Sequence, residues 1–137
     1  MSGTGNRIAA RARALVGTRF RPQGRDPALG LDCVGVVAAA AGVPAESIRR
    51  NYAARGQSLA EIEHEMIRLG WRPAPPASSA AGDMIVCEAG PVQFHLLVSA
   101  GETFVHADAG LRRVVERPFP VPWPVLGIWR CTDREEE

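Results

Sequence analysis

The spacing of apolar residues changes once along the chain, at Gly82, and this change restricts the fold. Before Gly82 apolar residues recur at helical spacing, as Ile8, Ala12 and Leu15 do. After it, short runs rich in branched residues alternate with turns that contain glycine or proline. Helices followed by an antiparallel sheet predict an α+β fold, and 137 residues suit one domain over positions 1–137. The predicted strands are 83–88, 93–99, 103–107, 111–117 and 125–131.

Two helices carry clear capping signals. Asp32 is a favourable N-cap and Gly42 suits the position that follows a helix. Nearly every residue between them is apolar, which predicts a helix buried on most sides. Ser58 and Glu61 have the spacing of a capping box and predict the start of another helix. Segment 118–124 has proline at every second position and is predicted to be extended and irregular.

Charge and hydropathy argue against two classes of partner. The chain has 16 basic and 15 acidic residues, a net charge of +1, so it lacks the positive field that attracts nucleic acid. The N-terminus shows no apolar signal segment, and no apolar run is long enough to span a bilayer. We expect synthesis in the cytoplasm without a signal peptide, no nucleic-acid partner and no membrane anchor.

Cys33 directly follows the predicted N-cap, and this position favours reactivity. A helix start offers unpaired N–H groups and a partial positive charge, which favour a thiolate and can hold an oxyanion. Gly35 would keep the first turn thin and let a substrate backbone approach. The alternative is an ordinary core cysteine, since free cysteine is among the most buried residue types. We interpret Cys87 and Cys131 as core or edge residues, because three sparse cysteines do not form a disulfide framework.

His95 and His106 lie in consecutive predicted strands. If a two-residue loop joins these strands, Ser99 pairs with Glu102 and the two histidines face each other, with Cβ atoms about 5 Å apart. A base in contact with an orienting group follows the logic of a catalytic triad. In this interpretation His95 takes the proton of Cys33 and His106 fixes the tautomer of His95.

Zinc is the competing interpretation of the same three residues. Cys33, His95 and His106 have the chemistry of a zinc ligand set. However, the sequence contains no closely spaced ligand pair such as C-x-x-C or H-x-x-x-H, so we expect no metal and no cofactor. The third histidine, His64, lies on a charged helix face and is given no role.

Short motifs recur in a defined order along nearly the whole chain. They lie at 16–20, in the glycine-containing loop that follows, and at 30–35, 82–86, 95–98 and 104–107. Their order and spacing resemble the NlpC family of cell-wall cysteine peptidases. Positions 24–35 read Gly-Arg-Asp-Pro-x-x-Gly-Leu-Asp-Cys-Val-Gly, which resembles the branch carried by phages and gene transfer agents, where the protein belongs to the tail tip.

The resemblance implies a papain-like (NlpC-type) α+β core, with N-terminal helices packed on a C-terminal antiparallel sheet. It implies a thiol endopeptidase with Cys33 as nucleophile, His95 as base and His106 as the third polar residue. The expected substrate is the peptide stem or cross-link of bacterial peptidoglycan. The expected partners are tail-tip or baseplate proteins of a phage-like particle that acts at the bacterial cell wall.

The chain departs from the family pattern at three positions. Phe20 stands where tyrosine is common, Val34 where serine is usual, and Leu97 where glycine is usual. Two alternative functions remain open. One is a structural tail plug that keeps the fold but little activity, with Trp123 and Trp129 near the proline-rich segment available for packing. The other is an acyltransferase on the same fold.

Overall fold

The computed structural model describes residues 3–44, 58–75, 79–90 and 93–131. These residues form three helices and eight strands, and none of the helices is long and apolar enough to cross a membrane. The helices are α1 (Gly3–Ala14), α2 (Cys33–Ala41) and α3 (Leu59–Arg68). The strands are β1 (Arg25–Asp26), β2 (Gly30–Leu31), β3 (Trp71–Pro73), β4 (Met84–Gly90), β5 (Gln93–Ser99), β6 (Thr103–Asp108), β7 (Arg113–Pro118) and β8 (Val125–Cys131).

Six of the strands form one antiparallel sheet in the order β3-β8-β4-β5-β6-β7, and β1 pairs with β2 in a separate small hairpin. One face of the sheet is covered by helices: Ile8 of α1 and Val36 of α2 share a buried cluster with Leu96, Val98 and Val105 of the sheet. The α+β prediction, with helices packed on an antiparallel sheet, is confirmed.

The other face of the sheet is covered by segment 118–124, which we call the proline strap. Its even positions are exposed prolines, while Phe119, Val121 and Trp123 turn inward and pack on the sheet. The strap is extended and irregular, as predicted. The apolar side chains beneath it are Ile85, Cys87, Leu97, Phe104 and Ile128.

The capping predictions are confirmed. The Asp32 carboxylate accepts the N–H of Gly35 at 2.9 Å, and Gly42 ends α2 in the left-handed region with φ of 75°. Ser58 and Glu61 form both hydrogen bonds of a capping box. These local signals depend only on residues a few positions apart, which explains why the sequence reveals them.

All five predicted strands exist, two with their predicted bounds and three with ends shifted by at most two residues. Strands β1, β2 and β3 were not predicted. The longest of these is β3. Its Trp71 is 1% exposed and pairs with Cys131 at the far edge of the sheet. A strand of three residues is too short to show a period of two, so only the tertiary pairing reveals it.

Candidate active site

The candidate site lies where strands β5 and β6 separate. Their ladder contains only the pairs Val98↔Val105 and Ser99↔Phe104. Beyond these pairs, β5 stays paired with β4 as far as Gln93, while β6 stays paired with β7. The two halves of the sheet therefore diverge, and a cleft of about 630 Å³ opens between them. Its lining includes Phe20, Asp32, Cys33, His95, His106, Asp108 and Trp123.

The predicted register of the β5–β6 hairpin is wrong. Ser99 pairs with Phe104 and not with Glu102, so His95 does not lie directly opposite His106. The connection is longer than two residues, with Gly101 in the left-handed region at φ of 100° and the N–H of Ala100 donating to the Thr103 carbonyl. Since the shift is two residues, it keeps the same side chains on each face.

His95 and His106 are in contact despite the shifted register. His95 Nε2 lies 2.8 Å from His106 Nδ1, and the two rings are nearly perpendicular at 85°. Diagonal neighbours on adjacent strands lie within reach of ring side chains, so a two-residue shift still permits the hydrogen bond. The bond occupies Nε2 of His95 and leaves Nδ1 as the nitrogen that can accept another proton.

Cys33 is the first residue of α2, directly after the N-cap Asp32, and it lines the same cleft as both histidines. Burial raises the pKa of the Cys33 thiol to about 12, and the neighbouring Asp32 carboxylate adds to this rise. Backbone hydrogen bonding from Leu96, the charge of Arg25 and the backbone of Val34 oppose it. Desolvation therefore opposes the thiolate that the helix start favours in the substrate-free site.

Burial also keeps the histidines neutral. It lowers the pKa of His95 to about 4, with His106 lowering it further and the Asp108 carboxylate opposing the shift. Burial likewise lowers the pKa of His106, again against Asp108. These shifts favour a neutral thiol and two neutral imidazoles in the resting site.

Arg25 is a site residue that our sequence reasoning did not single out. Its guanidinium donates to the Asp32 carboxylate at 2.8 Å, while the other oxygen of Asp32 accepts the N–H of Gln23. These bonds tie the loop before α2 to the residue that caps the helix. The only sequence signal was that Arg25 lies within the Gly-Arg-Asp-Pro motif.

Gly35 has a different role from the one predicted. A Cβ atom added at Gly35 would overlap the carbonyl oxygen of Gly24. The thin first turn of α2 therefore accommodates the backbone of the preceding loop, and not that of a substrate.

Trp123 is the second site residue that the sequence did not assign. Its ring centroid lies 5.1 Å from that of His95 and 5.6 Å from that of His106, with interplanar angles of 80° and 73°. We had predicted only packing for this residue. Nothing in a Pro-Trp-Pro sequence indicates which ring the tryptophan meets, since the contact depends on how the strap crosses the sheet.

The remaining histidine and cysteines follow their predictions. Cys87 is fully buried in the cluster beneath the strap. Cys131 lies on β8, an inner strand between β3 and β4, and packs against the cluster on the helical side of the sheet. His64 is exposed on α3. Across residues 3–44, 58–75, 79–90 and 93–131, no three His, Cys, Asp or Glu side chains are grouped so as to hold a metal ion.

Comparison with known proteins gives a structural match without a sequence match. No protein-family model matches the chain, and no curated protein does. NlpC1 from Trichomonas vaginalis superposes with a TM-score of 0.71 and 21% identity, over 97% of this chain and 46% of that one. The P60 domain of an antigen from M. avium subspecies paratuberculosis gives 0.63 and 17%, over 93% of both chains. The chain has the NlpC/P60 fold.

One of the proteins with a similar structure is a peptidoglycan hydrolase. RipB from Mycobacterium tuberculosis superposes with a TM-score of 0.60 and 21% identity, over 95% of this chain and 65% of that one. The present chain spans about half of the Trichomonas protein and about two thirds of RipB. These similarities establish the fold alone.

Proposed function

We propose that the protein is a cysteine peptidase that hydrolyses peptide bonds of bacterial peptidoglycan. The observation that carries the proposal is the His95–His106 hydrogen bond of 2.8 Å in a cleft that also holds Cys33 at a helix start. Nucleophile, base and orienting group are the parts that acyl transfer requires. The choice of substrate is supported by the motif resemblance and by the shared fold with RipB, itself a peptidoglycan hydrolase.

The proposed reaction begins with attack of Cys33 Sγ on the carbonyl carbon of the peptide. The thiol proton passes to His95 Nδ1, because Nε2 is held by His106. The N–H groups at the start of α2 are the proposed donors to the oxyanion. His95 then gives the proton to the leaving amine, and a thioester remains on Cys33. Water, deprotonated by His95, cleaves the thioester; the product carboxyl is released and the thiol regains its proton.

His106 and Asp108 are proposed to make protonation of His95 possible during the reaction. An imidazolium in a buried site is costly, as the lowered pKa of His95 indicates. In the proposed tautomer His106 Nδ1 accepts the N–H of His95 Nε2 across their 2.8 Å contact and keeps the ring oriented. Asp108 lines the cleft, and its charge favours the protonated form of both rings.

The test is to incubate the purified protein with peptidoglycan and identify released fragments by mass spectrometry. We expect peptide fragments with a new free amine and a new free carboxylate, and none with Cys33→Ala. Intact stems after prolonged incubation contradict the proposal, and so does release by the Cys33→Ala variant. Products joined to an amine acceptor, without a new carboxylate, identify an acyltransferase.

We also propose that the enzyme works as part of a phage-like tail tip, where tail proteins bring it to the cell wall. The support is the resemblance of residues 24–35 to the tail-associated branch. Particles from the source cell are separated by density and probed for this chain. Co-sedimentation with tail proteins is the expected result, and a protein found only free in the cytoplasmic fraction contradicts delivery.

A further inference from the structure

The imidazole of His106 has one nitrogen without a conventional partner. Its Nδ1 meets His95, but its Nε2 is buried and has no hydrogen-bond partner in the part of the chain that the structure describes. The His106 side chain as a whole is only 1% exposed. A buried polar atom of this kind is costly unless its surroundings suit the protonation state it adopts.

The hydrogen bond between the two neutral rings permits two tautomers with opposite consequences. In the first, His95 Nε2 carries the shared proton, so His95 Nδ1 has a lone pair and His106 carries its proton on Nε2. In the second, His106 Nδ1 carries the shared proton, so His95 is protonated on Nδ1 and His106 Nε2 is a bare lone pair. Only the first leaves His95 able to take the proton of Cys33.

Two aromatic rings contact the His106 ring, whose buried Nε2 distinguishes the two tautomers. Trp123 lies nearly perpendicular to His106, at 73° and 5.6 Å between centroids, and Phe104 lies at 42° and 5.5 Å. The face of an aromatic ring carries negative charge, so it attracts an N–H and repels a lone pair. The aromatic environment therefore favours an N–H at Nε2 of His106, which is the first tautomer.

We propose that Trp123 is a positioning residue that selects the tautomer in which His95 presents a free Nδ1 lone pair to Cys33. The role builds on the proposed function, since it assumes that His95 is the base. Trp123 is the ring that contacts both histidines in near-perpendicular geometry, so it acts on both ends of the hydrogen bond.

The proline strap gives Trp123 a defined position. Proline at every second residue fixes φ along the strap, and the Pro124 carbonyl accepts the N–H of Glu88 at 3.0 Å on β4. On the same strap Phe119 contacts Phe104, with centroids 5.4 Å apart, and does not line the cleft. Phe119 is therefore a matched control for losing an aromatic ring from the strap.

The experiment measures the protonation of each histidine nitrogen by ¹⁵N NMR of the labelled protein at pH 7. The exposed His64 serves as the internal reference. In wild type we expect His95 and His106 both protonated at Nε2. Trp123→Leu should raise the population of His106 protonated at Nδ1 about threefold or more, whereas Trp123→Phe and Phe119→Leu should preserve the wild-type pattern. Alkylation of Cys33 at pH 7 and kcat should fall in Trp123→Leu in proportion to the population lost from the first tautomer, with KM little changed.

Two results overturn the proposal. One is a wild-type spectrum in which His106 is protonated at Nδ1, a result that needs no variant to fold. The other is an unchanged tautomer ratio in Trp123→Leu or, if that variant does not fold, in Trp123→Met. The NMR readout is independent of peptidase activity. If Trp123→Leu shifts the tautomer ratio but the wild-type protein cleaves no peptidoglycan, the proposed function is contradicted while the effect of Trp123 on the tautomer is supported.

Discussion

In the resting site the pKa shifts favour the uncharged forms of both Cys33 and His95. This determines how the thiolate nucleophile would form. With a thiol pKa of about 12 and an imidazole pKa of about 4, the ion pair is unfavourable before substrate binds. The proton moves only when attack on a carbonyl consumes the thiolate, so the proposed mechanism is general-base catalysis and not reaction of a standing thiolate.

Replacing Cys33 tests the nucleophile. Cys33→Ala and Cys33→Ser should lower peptide release at least about a thousandfold, since no other group supplies the covalent step. Fold should survive, because the side chain is small and its removal from the start of α2 leaves little empty volume. Peptide release is followed by mass spectrometry and folding by circular dichroism. Hydrolysis retained in a folded Cys33→Ala protein ends the assignment.

Replacing His95 tests the base. His95→Ala should be nearly as damaging as Cys33→Ala, and the double variant little worse, because the two residues act as a unit. Iodoacetamide labelling provides a readout that needs no substrate: Cys33 should react faster in wild type than in His95→Ala at neutral pH. Equal labelling rates show that His95 does not activate the thiol.

Replacing His106 separates an orienting role from a zinc ligand. His106→Asn should keep part of the activity and more than His95→Ala, since a side-chain carbonyl can accept the same N–H. Wild type should remain active in a chelator. A metal site predicts the reverse, with activity lost in chelator and absent in His106→Asn, because an amide binds zinc poorly.

At the scale of elements, the close contact between α2 and the loop before it positions Cys33. Gly35→Ala places a methyl group on the Gly24 carbonyl, so either the loop or the helix start has to move. We expect a loss of unfolding free energy of about 1–3 kcal/mol and a loss of peptidase activity. Urea unfolding and peptide release measure the two effects. Ala38→Gly, in the same helix but outside the cleft, is the control for general helix weakening; Gly35→Ala with wild-type stability and activity refutes the contact.

The sequence predicted those elements whose signals are local. Asp32, Gly42 and the capping box of Ser58 depend on near neighbours, and the strands after Gly82 show in the alternation of side chains. The hairpin register was wrong because it depends on the loop conformation around Gly101. The role of Trp123 was missed because it reaches the histidines across the fold, and no spacing in the chain encodes that contact. Arg25 lies only seven residues before Asp32, but the loop that brings the two together has no periodic pattern that would reveal the contact.

At the scale of the molecule, the gap between β5 and β6 lets residues from both faces of the sheet reach one cleft. A continuous sheet would keep the helical layer and the proline strap apart. Cys33 belongs to the helical layer and Trp123 to the strap on the opposite face, yet both line one cleft. The histidines lie at the division between these layers. Because both histidines are buried there, their protonation affects the stability of the folded protein as well as the chemistry of the site.

That link makes stability depend on pH in a defined direction. The folded protein holds His95 with a pKa lowered to about 4 and His106 with a lowered pKa, whereas in the unfolded chain both titrate near the ordinary value of 6.5. Between about pH 6.5 and pH 4 the unfolded chain therefore binds protons that the folded protein does not. The stability contributed by neutral His95 is present above pH 6.5 and is lost as the pH falls towards 4, by up to about 1.4 kcal/mol per pH unit. His106, whose pKa is also lowered, contributes in the same direction.

The measurement is the free energy of unfolding in urea at pH 7, 6 and 5, for wild type and for His95→Gln combined with His106→Gln. Carboxylates contribute the same slope to both proteins, so the difference between the two slopes isolates the histidines. We expect the wild type to lose stability more steeply with acid than the double variant, even if the variant is less stable at pH 7. Equal slopes in wild type and double variant would mean that the folded protein does not hold His95 and His106 in the neutral form, and the neutral-pair mechanism would fall with that result.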